Sequence, residues 1–152
     1  MPETQAQDSR GYFMLPQAPI DAGYYVYGTP GGGAAQYAHP TMMSLILAVA
    51  RAWQTVDKRK FGVGNISMAG GVKFGHVSHR KGLEVDIRPL RIDGQCEPVT
   101  YLGAEYDRDA TEMLIGLFRA SAPGLLKIFF NDNKISGVFP LAHHDNHFHV
   151  QF

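Results

Sequence analysis

An α+β fold is what the sequence predicts: a small antiparallel sheet flanked by two main helices and long loops. Three observations predict it. Two segments carry apolar residues at helical spacing, and two others alternate strictly between apolar and polar residues. Helices and strands also fail to follow one another in the regular alternation that a parallel, doubly wound sheet requires. With 152 residues the chain has the length of one domain. A single domain over residues 1–152 is therefore expected, with 1–23 as an irregular N-terminal segment.

The elements follow in order. Pro16, Pro19, Gly23, Gly28, Pro30 and Gly31-Gly32-Gly33 make the first forty residues a run of turns, interrupted by a short extended piece at Tyr24–Tyr27. Pro40 opens a helix with Thr41 as its N-cap, and Met42, Leu45, Ile46, Val49, Trp53 and Val56 form its apolar stripe. Asp57-Lys58-Arg59-Lys60 ends it. A short strand is expected near Asn65–Met68 within a glycine-rich stretch. Leu83–Arg88 alternates apolar and charged residues, the period of a half-buried strand. A second helix fits Asp109–Ala120, with Asp109 and Glu112 as a capping pair and Met113, Leu114, Leu117 and Phe118 facing the core. Pro123-Gly124 stops that helix. Leu125–Phe130 reads as a buried strand, and His147–Phe152 alternates again, with Phe148, Val150 and Phe152 on one face.

Composition removes several function classes. Fourteen basic residues balance fourteen acidic ones, so nothing suggests a polyanion, and no nucleic-acid partner is expected. The single cysteine, Cys96, excludes an internal disulfide and reads as a free thiol. The longest apolar run, Leu45–Ala50, stops at Arg51, which argues against membrane insertion. The first residues lack the basic start and apolar stretch of a secretory signal. Gly31-Gly32-Gly33 lacks the ending of a phosphate cradle, and Ser78 lacks a nucleophile elbow. Tyr24, Tyr25 and Tyr27 read as packing residues.

Six of the seven histidines fall in two short segments. His79 precedes a strand from which it is separated by Gly82, a residue that permits a sharp turn. Asp86 projects from the polar face of that strand, with Glu84 as its local rival. In His147-Phe148-His149 the period of two puts both imidazoles on one face. If the two strands are neighbours, His79, Asp86 and one or both of His147 and His149 converge. Two imidazoles and a carboxylate suit Zn²⁺ and leave a fourth position open, the arrangement of a catalytic rather than a structural site. Such a metal lowers the pKa of bound water and polarises a carbonyl, and a remaining histidine can move protons near neutrality. The reaction class implied is metal-assisted amide hydrolysis. Calcium is disfavoured, since imidazole is a poor ligand for it.

The strings His76-Val77-Ser78-His79-x-x-Gly82-Leu83-x-Val85-Asp86-Ile87 and His144-Asp145-Asn146-His147-Phe148-His149-Val150 resemble the signature of zinc peptidases of the lysostaphin and D-alanyl-D-alanine peptidase group. The resemblance is closest to the penicillin-insensitive murein endopeptidases. Gly28-Thr29-Pro30, Gly62–Ser67 and Gly70-Gly71 extend it over most of the chain from Gly28 on. It implies one Zn²⁺ on His79, Asp86 and His149, with His147 as the catalytic histidine. His144 matches a further active-site histidine, and His76 matches one three residues before the first ligand, assigned here to substrate binding. His39 and His143 are expected to be a surface residue near a helix start and a loop residue beside the site.

The substrate so implied is the D-alanyl–meso-diaminopimelyl cross-link between peptidoglycan stems, with action in the periplasm or cell wall. A D-alanyl-D-alanine dipeptidase or carboxypeptidase of the same zinc group is one alternative. A catalytically silent, metal-containing wall-binding module is another. Departures from the family are the single cysteine, the missing signal, and Leu141-Ala142-His143 where tryptophans are common. Reaching the wall would then require a delivery partner, either a holin for a phage lysis enzyme or secretion machinery for an effector with its immunity protein, or a signal outside this sequence.

Overall fold

The computed structural model describes residues 5–17, 19–75 and 78–152. In chain order the elements are β1 (Phe13–Met14), β2 (Tyr24–Val26), β3 (Tyr37–Ala38), α1 (Pro40–Gln54), β4 (Phe61–Val63), β5 (Glu84–Arg88), α2 (Arg108–Ser121), β6 (Lys127–Phe129) and β7 (Phe148–Gln151). Five strands form the main sheet in the order β2-β4-β5-β7-β6, and β1 pairs with β3 in a second, two-stranded sheet. The α+β reading holds. The pairing is antiparallel except between β2 and β4, which run parallel with Tyr24 opposite Phe61. A parallel pair needs a crossover, and α1 lies within the connection between its two strands.

Several sequence expectations shift by a residue or more, each for a local reason. The cap of α1 is His39 rather than Thr41: its Nδ1 accepts the Thr41 backbone N–H at 3.1 Å. The helix ends at Gln54, leaving Val56 exposed. The strand expected at Asn65–Met68 lies earlier, at Phe61–Val63, where β2 supplies a partner. Residues 64–67 instead bond in two directions, Gly64 and Asn65 to Asp86, and Ile66 and Ser67 to Ala35 and Tyr37. Helix α2 is capped by Asp107, whose carboxylate accepts the Ala110 N–H, and Asp109–Glu112 forms no capping pair. Its buried face is Ala110, Thr111, Leu114, Ile115 and Phe118, with Met113 turned to solvent. Of Leu125–Phe130 only Lys127–Phe129 is strand; it lies at the sheet edge, with Ile128 buried and Leu125 fully out. Within 1–23, read as irregular, Phe13–Met14 forms β1.

One apolar cluster holds these parts together, combining the inner faces of both helices with one face of the sheet. Val85 and Ile87 from β5 and Phe148 and Val150 from β7 point into it, all fully buried. Phe118 of α2 meets Phe61 and Phe148 edge-on, with ring centroids 6.1 and 6.0 Å apart. Because strand side chains alternate, driving these four residues inward forces Glu84, Asp86, His149 and Gln151 onto the opposite face.

The segment between β6 and β7 is held by polar contacts. Asp132 is buried, accepting from the Tyr106 hydroxyl and Arg108 Nε, each at 2.7 Å. The neighbouring Asn131 accepts the Leu141 N–H, donates to Asp145, and bonds through its own N–H to His144 O at 3.0 Å. Burial by itself raises the Asp132 pKa, but the Tyr106 and Arg108 hydrogen bonds outweigh it and hold the carboxyl below its ordinary value. A lowered carboxylate pKa contributes stability above the unfolded value, and that stability disappears as pH falls through the folded one. Asp132→Ala should therefore lower unfolding free energy at pH 7 by about 1–3 kcal/mol. In urea titrations the gap between wild type and variant should narrow below about pH 4.

Candidate metal centre

Two local features present His79. Gly82 adopts φ +70°, and a Cβ there would lie 2.6 Å from the His39 nitrogen, so only glycine fits. His39 N donates to Gly82 O at 3.0 Å, tying the turn to the start of α1. His79 itself has φ +63°, the left-handed region a bulky residue seldom occupies. That conformation is braced by Glu84, whose Oε2 accepts the His79 backbone N–H at 2.7 Å.

The other donors come from sheet register. Strands β5 and β7 pair antiparallel with Asp86 directly opposite His149 and Glu84 opposite Gln151. One oxygen, Asp86 Oδ1, lies 3.2 Å from His79 Nε2, 3.1 Å from His149 Nδ1 and 3.7 Å from His147 Nε2. The donor atoms of His79, Asp86 and His149 all fall within 4.8 Å of one another, and all three residues are buried. Neighbouring donors around a tetrahedral ion with bonds of about 2.0–2.1 Å stand about 3.3 Å apart, so the two shorter separations suit such an ion.

Partners outside the trio fix which nitrogens face inward. His79 Nδ1 lies 3.2 Å from Ile66 O, which can only accept, so Nδ1 carries the proton and Nε2 is the nitrogen turned toward Asp86. His149 is reversed. Its Nε2 faces Glu84 Oε1 at 3.3 Å and Gln151 Oε1 at 3.1 Å, leaving Nδ1 toward Asp86. Glu84, the rival ligand of the sequence reading, thus steadies two candidate ligands at once, His79 through its backbone and His149 through its ring.

Electrostatics separate the histidines. For His149, burial lowers the pKa, but the bonds to Asp86 and Glu84 prevail and raise it to about 9. For His147, burial dominates and brings it down to about 4, against the pull of Asp86 and helped by the surrounding imidazoles. Asp86 would be raised by burial, yet its histidine contacts hold it well below the carboxylate range.

The trio opens into a cleft of about 480 Å³ whose walls include Ser78, Phe129, Leu141, His143, His144 and His147. The His144 and His147 rings stand 4.7 Å apart, and His144 lies 5.8 Å from His149. Both rings thus lie beside the donor trio. His143 is an exposed loop residue with φ +69°. His39 is spent on the α1 cap, and Cys96 is a free, exposed thiol. His76 lies outside the described residues. Two participants went unread in the sequence: Gln151, although its polar-face position was visible there, and Phe129, whose ring lies 5.9 Å from that of His149.

A family model described as penicillin-insensitive murein endopeptidase matches residues 32–113, from before α1 to within α2 and through His79 and Asp86. A curated protein of Yersinia enterocolitica, named penicillin-insensitive murein endopeptidase, is 25% identical over 114 residues. The match takes in 68% of this chain and about 40% of that protein's length.

If Glu84 steadies both ligands, Glu84→Gln should weaken divalent-metal binding by about 10–100-fold while leaving secondary structure intact. Competition with a chromophoric chelator measures the first, and circular dichroism the second.

Proposed function

The chain belongs to the penicillin-insensitive murein endopeptidase family, and from that membership we propose that it is a zinc-dependent hydrolase of peptidoglycan cross-links of the D-alanyl–meso-diaminopimelate type. The observation that carries this reading is the meeting of four side chains at one carboxylate oxygen. Three of them make an N₂O donor set, and the fourth, His147, faces the same point without being needed as a ligand. A closed structural site would have four protein ligands; here the three candidate ligands line an open cleft. When bound, zinc would supply Lewis acidity toward a scissile carbonyl and an activated water.

The protein's own residues supply the rest. His147 Nδ1 donates to Asn146 Oδ1 at 2.8 Å, so its lone pair sits on Nε2, the atom 3.7 Å from Asp86 Oδ1. A half-buried neutral imidazole so oriented can take a proton from a nucleophile and return it to a leaving amine. His144 is oriented alike, Nδ1 donating to Ala142 O at 2.9 Å, and its ring beside His147 makes it the residue to contact the carbonyl oxygen or the substrate. Phe129 and Leu141 give the cleft apolar walls that exclude water from the reacting bond. The place of action is the bacterial cell wall. No helix among the described residues is long and apolar enough to cross a membrane.

The test is to incubate the protein with defined cross-linked muropeptide dimers, with and without a zinc chelator, and to weigh the products. Chelator-sensitive conversion of dimers to monomers is expected. Intact dimers alongside trimmed monomers would favour a carboxypeptidase of the same zinc group. His149→Ala should lose both bound zinc and activity. His147→Ala should keep its zinc and lose turnover by about 10²–10⁴-fold. Loss of metal from both variants, or full activity in either, contradicts the assignment.

A further inference from the structure

The cleft does not end at the donor cluster. A second depression of about 410 Å³ shares Ser78, Glu84 and Gln151 with it, and a third of about 580 Å³ shares Arg80, Lys81 and Leu83 with the second. Through these shared lining residues the three depressions adjoin one another beside the 78–84 turn, as a groove that starts at the donor cluster.

Charge is distributed unevenly along this groove. Among its described lining residues the side-chain carboxylates are Glu84, engaged by the His79 N–H and the His149 ring, and Asp86, engaged by the His79 and His149 rings. Three cations stand at the far end. Arg10 is already spent on Asp8, with Nη2 2.7 Å from Oδ2. Arg80 and Lys81 are exposed, and among the described residues neither forms an ion pair. Arg80 is nevertheless held in place. Its Nε donates to Gly71 O at 3.1 Å, and its carbonyl accepts from Arg10 Nη1 at 2.7 Å, so the outer edge of the guanidinium is left for something else. The flanking residues have no freedom, because His79 is a donor and Gly82 is fixed by its conformation and by the closeness of His39. Neither Arg80 nor Lys81 belongs to the donor set, and the fold engages the Arg80 side chain only through its Nε.

We infer that Arg80 and Lys81 form a carboxylate-binding subsite, which holds a free carboxylate of an acidic peptide lying in the groove. The inference rests on the peptidase reading above. Lys81 follows His79 by two residues, so their backbones are at most about 7–8 Å apart and the carboxylate belongs one or two residues from the bond at the metal centre. An arginine fork with its Nε occupied still presents two Nη groups, which suit a carboxylate, and the neighbouring ammonium adds charge without a fixed direction.

The probes are two muropeptide dimers identical except that the free carboxylates of diaminopimelate are amidated in one. Cleavage is followed on the zinc-loaded protein and binding on zinc-loaded His147→Ala. Arg80→Gln with Lys81→Gln should raise KM and Kd for the free-carboxylate dimer about tenfold, a modest factor because the site is exposed. The amidated dimer should bind both proteins alike, and 0.5 M salt should erase the preference. Lys81→Gln alone removes no side-chain hydrogen bond among the described residues and should show part of the effect at unchanged zinc content. Cleavage of both dimers with the same change in the variant, or with none, overturns the subsite and leaves the peptidase reading standing. Carboxylate-selective binding without cleavage by wild type supports the subsite and overturns that reading. Neither binding nor cleavage overturns both.

Discussion

A single oxygen organises the functional face. Asp86 Oδ1 sits within 3.1 to 3.7 Å of three imidazole nitrogens contributed by a tight turn, by the end of a loop and by a neighbouring strand. A carboxylate buried to this degree is tolerable only when paired, so each histidine is required by the charge it surrounds as well as by any ion. The position of that oxygen is set by backbone contacts on both flanks. Gly64 N donates to Asp86 O, Asp86 N donates to Asn65 O, and on the other side β7 brings His149 opposite. A slip of one residue between β5 and β7 would turn Phe148 to the cleft and His149 to the core. The aromatic cluster around Phe148, Phe118 and Phe130 is what forbids that slip.

The donor set and the loop histidines are built differently. His79, Asp86 and His149 stand on a strand pair and on a turn anchored to a helix start, and they are buried. His144 and His147 belong to a half-exposed loop that the Asn131 and Asp132 contacts hold against the sheet. The donor trio thus stands on buried, strand-anchored backbone and the two loop histidines on a more exposed connection.

Much of this was legible in the sequence where the information is local. Alternation assigned core and polar faces correctly in 84–88 and 148–151, though Phe152, read with the core face, lies past the strand and is exposed, and Gly82 marked the turn that carries His79. The choice between Glu84 and Asp86 was not legible from periodicity, because both project from one face; only the pairing with His149, 63 residues away, separates them. The helix caps were misjudged because composition favours Thr and Asp as caps, whereas His39 and Asp107 reach the free amides from two positions before Thr41 and Asp109. The parallel β2–β4 pair was invisible, since three-residue strands leave too little pattern to show a partner or a direction.

The order of strands in the main sheet bears on how the protein comes into being. Strand β7 is last of these elements in the chain, yet it lies between β5 and β6 rather than at an edge. During synthesis β5 and β6 emerge with unpaired edges facing one another, and neither can be satisfied until residues 148–151 have left the ribosome. The same residues deliver His149. Closure of the sheet and assembly of the donor set are therefore one event.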